Sequence, residues 1–205
     1  QSYLRSGDDD AKRIIDWSQR SGRSVTVRLV KGAYWDYETI RAEEMGWPVP
    51  VWSRKVDTDA CFERMTALFI ESTPKSQGVG GVKLALGSHN IRSIATALAL
   101  LEKYELPVEA LELQMLRGMA DQLKAAVLED GLRLREYVPV GEMIPGMAYL
   151  VRRLLENTSN ESWLRSSFVD DADTSVLLAS PHIQHTNKDP GIQRIEDAPE
   201  RHHLS

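Results

Sequence analysis

Polar side chains stand at or near the carboxyl ends of five predicted strands. They are Gln1, Arg28, Lys31, His89, Asn90, Gln114 and Tyr137. Taken singly, each is also typical of a solvated loop residue or a satisfied structural residue. Because the carboxyl ends of strands in an α/β sheet meet at one binding face, their recurrence at equivalent positions predicts a shared site. Cations with amide and imidazole groups suit an electron-rich or anionic ligand. No metal is expected, because His89 lacks a second ligand at metal-binding spacing.

The segment VTVRLVKGAYWDYE, residues 25–38, begins as an alternating strand and ends in small and aromatic residues. Gly32 and Ala33 have almost no side chain, so a flat ligand can approach their backbone closely. Trp35 and Trp52 are candidates to pack on such a ligand. The segment therefore predicts that cationic and aromatic groups are delivered to the end of one strand.

The segment AYLVRRLLEN, residues 148–157, has the spacing of a largely apolar helix interrupted by Arg152 and Arg153. One interpretation is a surface pair of Arg152 with Glu156, which would contribute only a few tenths of a kcal/mol. The other is functional. Because adjacent helical residues point about 100° apart, one arginine could bind a ligand carboxylate while the other faces a cofactor.

The elements that position these residues alternate regularly between strand and helix. Strands are predicted at 1–4, 24–31, 82–87, 110–116 and 132–140. Helices are predicted at 11–19, 37–46, 59–71, 91–104, 120–128 and 148–157. This order predicts an α/β protein with about five βα units and a parallel sheet, either a doubly wound domain or the larger part of a (β/α)₈ barrel. No G-x-G-x-x-G follows a strand, and residues 169–205 have the composition of an irregular tail.

Composition excludes several classes of protein. The 205 residues carry 25 Lys and Arg against 30 Asp and Glu, a net charge of -5, so no broad nucleic-acid-binding surface is expected. Cys61 is the only cysteine, which excludes an internal disulfide. No apolar run approaches the roughly 20 residues that span a bilayer, and we expect a cytoplasmic location. The first residue is Gln1 rather than Met, and we expect a fragment of a longer protein.

Six motifs make the chain resemble the proline dehydrogenase domains of bacterial bifunctional proline utilization A flavoenzymes. They are RLVKGAYWD (28–36), PVWSRKVDTD (50–59), GSHN (87–90), LELQMLRGM (111–119), YVPVG (137–141) and AYLVRRLLEN (148–157). They occur in the family's order and at close to its spacing over residues 1–168. Ser53, Met115 and Arg117 depart from the residues expected at those positions.

The resemblance implies a distorted (β/α)₈ barrel that holds FAD at the carboxyl ends of its strands. Residues 1–168 would be the C-terminal portion of that barrel, and 169–205 a linker toward an absent, NAD-dependent aldehyde dehydrogenase domain. The implied reaction is oxidation of L-proline to Δ1-pyrroline-5-carboxylate, with electrons passed to a quinone. The resemblance is also compatible with peripheral association with the inner membrane and with a homo-oligomer.

The resemblance also implies roles for individual residues. The cofactor would contact Gln1, Arg28, Val30, Lys31, Gly32, Ala33, Trp35, Ser53, Lys55, His89, Asn90, Gln114, Arg153 and Glu156. Arg152 and Arg153 would bind the proline carboxylate, and Tyr34, Leu116 and Tyr137 would enclose its ring. The catalytic set would be Arg28, Tyr137, Arg152 and Arg153. The family's substrate-binding Lys and Asp come from earlier strands, so we expect little or no activity from this chain alone.

Two alternatives remain open at this stage. Cationic strand ends also suit a barrel enzyme that binds a phosphate-bearing ligand without a flavin. The segment could instead be a catalytically silent part of a larger assembly, associating through unpaired edge strands. A flavin absorbance band in the purified protein would separate the first alternative from a flavoenzyme.

Overall fold

The computed structural model describes residues 1–76, 78–160 and 179–182, without the side chains of 152 and 154–160. The predicted tail at 169–205 therefore lies outside the described residues except for 179–182. No helix in these described ranges has both the length and the apolar character needed to cross a membrane.

The described chain forms one parallel sheet with helices between its strands. The strands are β1 (Ser24–Leu29), β2 (Gly81–Gly87), β3 (Leu111–Leu116) and β4 (Arg133–Tyr137), hydrogen-bonded in the order β1-β2-β3-β4. Each strand lies beside the one that precedes it in sequence, as in successive βα units of a barrel. The predicted α/β class with a parallel sheet is confirmed.

Six α-helices and a short 3₁₀ helix precede, connect and follow these strands in the described ranges. They are α1 (Gly7–Ser21), α2 (Trp35–Met45), α3 (Lys55–Glu71), α4 (Ile91–Lys103), α5 (Asp121–Glu129) and α6 (Met143–Asn160), with the 3₁₀ turn at Val108–Ala110. Helix α6 begins five residues before the predicted segment at 148. Pro145 does not prevent this, because proline is tolerated in the first turn of a helix.

The first predicted strand, residues 1–4, does not join the described sheet. The amides of Ser2 and Tyr3 donate to the carbonyl oxygens of Val30 and Lys31 at 3.0 and 2.8 Å, just beyond the end of β1. Leu4 makes one isolated antiparallel bridge to Val51. The backbone of this short segment is thus divided between two different neighbours and forms no continuous ladder. The described sheet has four strands, against the five predicted.

The sheet has an apolar face that packs against the helices. Leu29, Leu84 and Leu113 are at most 1% exposed, and they lie in one core with Phe62 and Phe69 of α3. Burial of each such side chain contributes about 1.5–3 kcal/mol to the free energy of folding. The alternate residues of the same strands form the opposite face, which we call the cavity face. It carries Arg28, Glu112, Gln114, Arg135 and Tyr137.

Candidate active site

An open cavity lies at the carboxyl ends of the four strands. The cavity encloses about 370 Å³, a volume that includes open solvent. It is lined by Arg28, Val30, Gly87, Ser88, His89, Gln114, Met115, Leu116, Tyr137 and Arg153. Seven of these residues belong to the predicted site: Arg28, Val30, His89, Gln114, Leu116, Tyr137 and Arg153. Of the predicted strand-end residues, the cavity lining includes Arg28, His89, Gln114 and Tyr137, together with Arg153 of α6. It does not include Gln1, Lys31 or Asn90.

Arg28, near the end of β1, reaches past β2 and is held by residues of β3 and β4. Its Nε donates to Oε1 of Gln114 at 2.7 Å, and its guanidinium carbon lies 4.8 Å from the centre of the Tyr137 ring. Gly87 leaves room for this arrangement, because a β-carbon there would lie 3.3 Å from Nη2 of Arg28 and 3.0 Å from Cγ1 of Val30. A cation is thus fixed against an aromatic face at the mouth of the cavity.

Gln114 connects Arg28 to a carboxylate that the sequence analysis did not identify. Nε2 of Gln114 donates to Oε1 of Glu112 at 2.6 Å. Arg135 contacts the same carboxylate through Nε at 2.9 Å and Nη2 at 3.0 Å. Glu112 could have been identified from its position two residues before Gln114, since residues two apart on a strand share one face.

His89 and Asn90 follow β2 and have different structural roles. His89 is 5% exposed, and its Nε2 accepts a hydrogen bond from the backbone N–H of Leu116 at 3.0 Å. The imidazole therefore ties the end of β2 to the end of β3 and carries its proton on Nδ1 when neutral. Asn90 caps α4, because its Oδ1 accepts from the amide of Ser93 at 3.0 Å. Asn90 is not among the residues that line the cavity.

Helix α6 brings Arg153 to the cavity. Its guanidinium carbon lies 5.6 Å from the centre of the Tyr149 ring, four residues earlier on the same helix. The predicted roles of Arg152 and Glu156 fall on side chains outside the described part of the chain. The structure thus gives one guanidinium of the predicted pair a place at the cavity, and the two-arginine carboxylate clamp stays a prediction.

Lys31 and Lys55 bind a carboxylate instead of lining the cavity. Nζ of Lys31 lies 2.6 Å from Oδ1 of Asp59, and Nζ of Lys55 lies 3.1 Å from Oδ2. Lys31 is 6% exposed and lies 5.5 Å from the Phe62 ring centre. Burial lowers the pKa of Lys31, and the charge of Asp59 opposes that shift. The ion pair between Lys31 and Asp59 fastens the loop after β1 to the first turns of α3.

The loop after β1 packs around Tyr3. Gly32 has φ +131°, which favours glycine, and a β-carbon there would collide with the ring of Tyr3. Nε1 of Trp35 donates to the carbonyl oxygen of Trp52 at 2.7 Å. Gly32 is therefore needed for packing against Tyr3. Its contact with the cofactor stays a prediction. The cavity lining does not include the remaining predicted residues Gln1, Gly32, Ala33, Tyr34, Trp35 and Ser53.

A metal site is not formed by the part of the chain that the structure describes. Within it, no three His, Cys, Asp or Glu side chains cluster in a way that could hold an ion. The polar groups that line the cavity are instead two guanidinium groups, one amide, one imidazole and the hydroxyls of Ser88 and Tyr137. This donor set suits carboxylates, phosphates and electron-rich rings.

Comparison with known proteins gives one consistent match. A family model described as "Proline dehydrogenase" matches residues 1–166. The bifunctional protein PutA of Rhizobium meliloti is 36% identical over 177 residues, which cover 82% of this chain and 13% of that protein. Proline dehydrogenase 1, mitochondrial, of Homo sapiens is 30% identical over 161 residues, covering 78% of this chain and 26% of that protein. The chain therefore spans a minor part of these curated relatives.

A solved structure matches over most of the described fold. The crystal structure of proline utilization A from Bdellovibrio bacteriovorus, inactivated by N-propargylglycine, aligns with a TM-score of 0.81 and 49% identity. The alignment covers 90% of this chain and 19% of that chain. Such structural neighbours are proline dehydrogenase barrels, so the four-stranded sheet is part of a (β/α)₈ barrel, as the family resemblance implied.

Proposed function

The chain belongs to the proline dehydrogenase family, and we propose on that premise that the protein containing it oxidises L-proline to Δ1-pyrroline-5-carboxylate with bound FAD. One observation carries the proposal: Arg28, Gln114, Leu116, Tyr137 and Arg153 line a single cavity at the carboxyl ends of the strands. Two guanidinium groups, an amide and an apolar wall are the groups that a flavin and an amino acid with a hydrocarbon ring require.

The polar groups that line the cavity suit a flat, electron-rich cofactor. Arg28 and Gln114 can donate to ring nitrogens and carbonyl oxygens, and the missing side chain of Gly87 keeps Arg28 accessible. We propose that Arg28, Val30, His89 and Gln114 contact the flavin. When bound, the flavin supplies the oxidant that accepts a hydride from the substrate.

Further FAD contacts are proposed on family grounds. They are Gln1, Lys31, Gly32, Ala33, Trp35, Ser53, Lys55, Asn90, Arg153 and Glu156. Of these, Lys31 fastens the loop after β1 to α3 through Asp59, whereas Lys55 pairs with the same carboxylate within α3.

The substrate would be oriented by charge at one end and by packing at the other. Arg153, with Arg152 beside it in sequence, is proposed to bind the proline carboxylate, because a guanidinium forms two parallel hydrogen bonds to a carboxylate. Leu116 and Tyr137 line the cavity. With Tyr34, which the family resemblance adds, they would enclose the pyrrolidine ring and exclude water from it. Holding the ring in one orientation is the main contribution of these side chains to the rate.

The wider context of the reaction is also proposed. Electrons would pass to a quinone, from a cytoplasmic protein that meets the inner membrane peripherally. Residues 1–168 would serve as part of the barrel and 169–205 as the connection toward an aldehyde dehydrogenase domain. Because the chain spans 13% of the PutA protein from Rhizobium meliloti, we expect other parts of the full-length protein to complete the site.

An absorbance spectrum of the full-length protein tests the proposal. We expect visible flavin bands that bleach when L-proline is added without oxygen and return when a soluble quinone is supplied. L-Valine, which has the carboxylate but no ring nitrogen, should cause no bleaching. A colourless protein, or a flavin that proline leaves oxidised, would contradict the proposal. A colourless protein that bound inorganic phosphate would favour a non-flavin barrel enzyme instead.

A further inference from the structure

Glu112 lies on the cavity face of β3, two residues before Gln114 and outside the cavity lining. Its side chain is 14% exposed, against 64% for that of Arg135. The carboxylate accepts from Nε2 of Gln114 at 2.6 Å and is contacted by two nitrogens of Arg135, at 2.9 and 3.0 Å. A largely buried carboxylate is therefore held from two strands, β3 and β4.

The groups at its two ends determine the orientation of the Gln114 amide. A guanidinium only donates hydrogen bonds and a carboxylate only accepts them. The amide oxygen must therefore face Arg28, and the amide nitrogen must face Glu112, as observed at 2.7 and 2.6 Å. Rotating the amide by half a turn would oppose donor to donor and acceptor to acceptor. Gln114 is only 8% exposed, so water cannot readily compensate such a mismatch.

This orientation fixes how Arg28 presents itself to the cavity. Because Nε of Arg28 bonds Gln114 and the guanidinium carbon lies over the Tyr137 ring, the terminal nitrogens are the ones that can bind a ligand. Loss of the acceptor at Glu112 would free the amide to rotate and would loosen Arg28, although Glu112 itself does not line the cavity.

We propose that Glu112 is a positioning residue that orients Arg28 through the amide of Gln114, with Arg135 anchoring Glu112. The inference rests on the proposed function, because its readouts are flavin properties and proline oxidation. It assigns no contact between Glu112 and the cofactor or the substrate.

The test compares Glu112→Met, Glu112→Gln, Arg28→Met and Arg28→Met/Glu112→Met in the full-length, flavin-loaded protein. We expect Glu112→Met to lower kcat by about 10-fold or more, and to shift the flavin midpoint potential in the same direction as Arg28→Met. Glu112→Gln keeps an acceptor for Gln114 and should remain within about 3-fold of wild type. The double variant should be no worse than Arg28→Met alone, because both changes break one chain of contacts.

A matched control is available on the opposite face of the sheet. Glu136 of β4 also pairs with a cation, Lys124 at 2.6 Å, but on the helix side. Glu136→Met should leave kcat and the flavin potential unchanged. If Glu112→Met does not fold, Gln114→Met removes the connecting amide and should reproduce the loss of kcat and the shift in potential.

Three results would overturn the proposal. The first is a Glu112→Met or Gln114→Met protein with wild-type kcat and potential. The second is a double variant whose loss is the product of the two single losses, since Glu112 would then act independently of Arg28. The third is a Glu112→Gln protein as impaired as Glu112→Met. Failure of the proposed function is distinct, because the wild-type protein would then lack a proline-bleached flavin, and that result would remove both proposals.

Discussion

On β3, Leu111, Leu113 and Met115 alternate with Glu112 and Gln114. The first three side chains are at most 1% exposed in the core beneath the helices, whereas the other two form a hydrogen-bonded pair on the cavity face. Barrel interiors are usually filled by bulky branched apolar residues. Here the cavity face instead carries a connected set of polar side chains, Arg28, Gln114, Glu112 and Arg135.

The contrast separates two kinds of mutational effect. The helix-facing residues stabilise the fold through buried area, so their truncation should lower stability and leave the chemistry of the folded molecules intact. The cavity-face residues interact through directed hydrogen bonds and charge, so their replacement should change rate and binding constants more than stability.

The largest stability effect is expected at the centre of the apolar face. Leu113 is 0% exposed, and Leu113→Ala should lower the free energy of unfolding by about 2–5 kcal/mol. The temperature at which the bound flavin is released from the full-length protein would report this loss. In the fraction that stays folded at low temperature, kcat should match wild type. A large fall in kcat with unchanged thermal stability would contradict the assignment of Leu113 to the residues that act only on stability.

Arg153 should show the opposite behaviour. Its guanidinium lines the cavity, so Arg153→Met should raise KM for proline and reduce kcat/KM by an amount on the order of 2–5 kcal/mol in transition-state binding. The flavin-release temperature should change little. Arg41, an exposed arginine of α2, provides a matched control as Arg41→Met with unchanged kinetics. Wild-type kcat/KM in Arg153→Met would remove this residue from the proposed carboxylate site.

The apolar face was the part of the fold that sequence predicted best. Alternation at Val25, Val27 and Leu29 predicted β1, and the predicted strand at 82–87 differs from β2 by one residue. Helix α3 begins at Lys55 rather than at 59, because Arg54 pairs with Asp57 at 2.7 Å and Lys55 with Asp59 in its first turns. Those stabilising pairs are local but are not hydrophobic, so apolar periodicity did not reveal them.

The cavity face was predicted only in part. Arg28, Gln114 and Tyr137 were identified because each stands near a strand end, where the topology brings side chains together. Lys31 has the same sequence signal, yet it bonds Asp59, which lies 28 residues away. Such a partner depends on how the loop and α3 pack, and spacing alone does not specify it. Glu112 was missed because it is the second residue of β3, four residues before the carboxyl end where the prediction placed the site.

Gly87 controls the packing of two neighbouring residues on the cavity face. A β-carbon there would lie 3.0 Å from Val30 Cγ1 and 3.3 Å from Arg28 Nη2. Gly87→Ala should therefore displace Arg28 and lower kcat, and should cost about 1–3 kcal/mol of stability through overpacking. Ala85→Gly, two residues earlier on β2, is a control that removes side-chain volume from the same strand. Unchanged flavin absorbance and kcat in Gly87→Ala would mean that Arg28 tolerates the displacement.

The smallest effect is expected at Cys61, on the helix side. Cys61 is 0% exposed, and burial, with the nearby charge of Asp8, raises its pKa from 9.0 to about 11. Between these two values the unfolded thiol ionises while the folded thiol does not, so the free energy of unfolding should fall as the pH rises from 9 to 11. Cys61→Ala should cost about 0.5–1.5 kcal/mol at neutral pH through lost packing. The free energy of unfolding of Cys61→Ala should also decline less steeply above pH 9 than that of wild type. Denaturant titrations of both proteins at pH 8 and pH 10.5 measure the difference. Parallel declines in the two proteins would show that the buried thiol does not control alkaline stability, and kcat at pH 8 should be the same in both because Cys61 lies away from the cavity face.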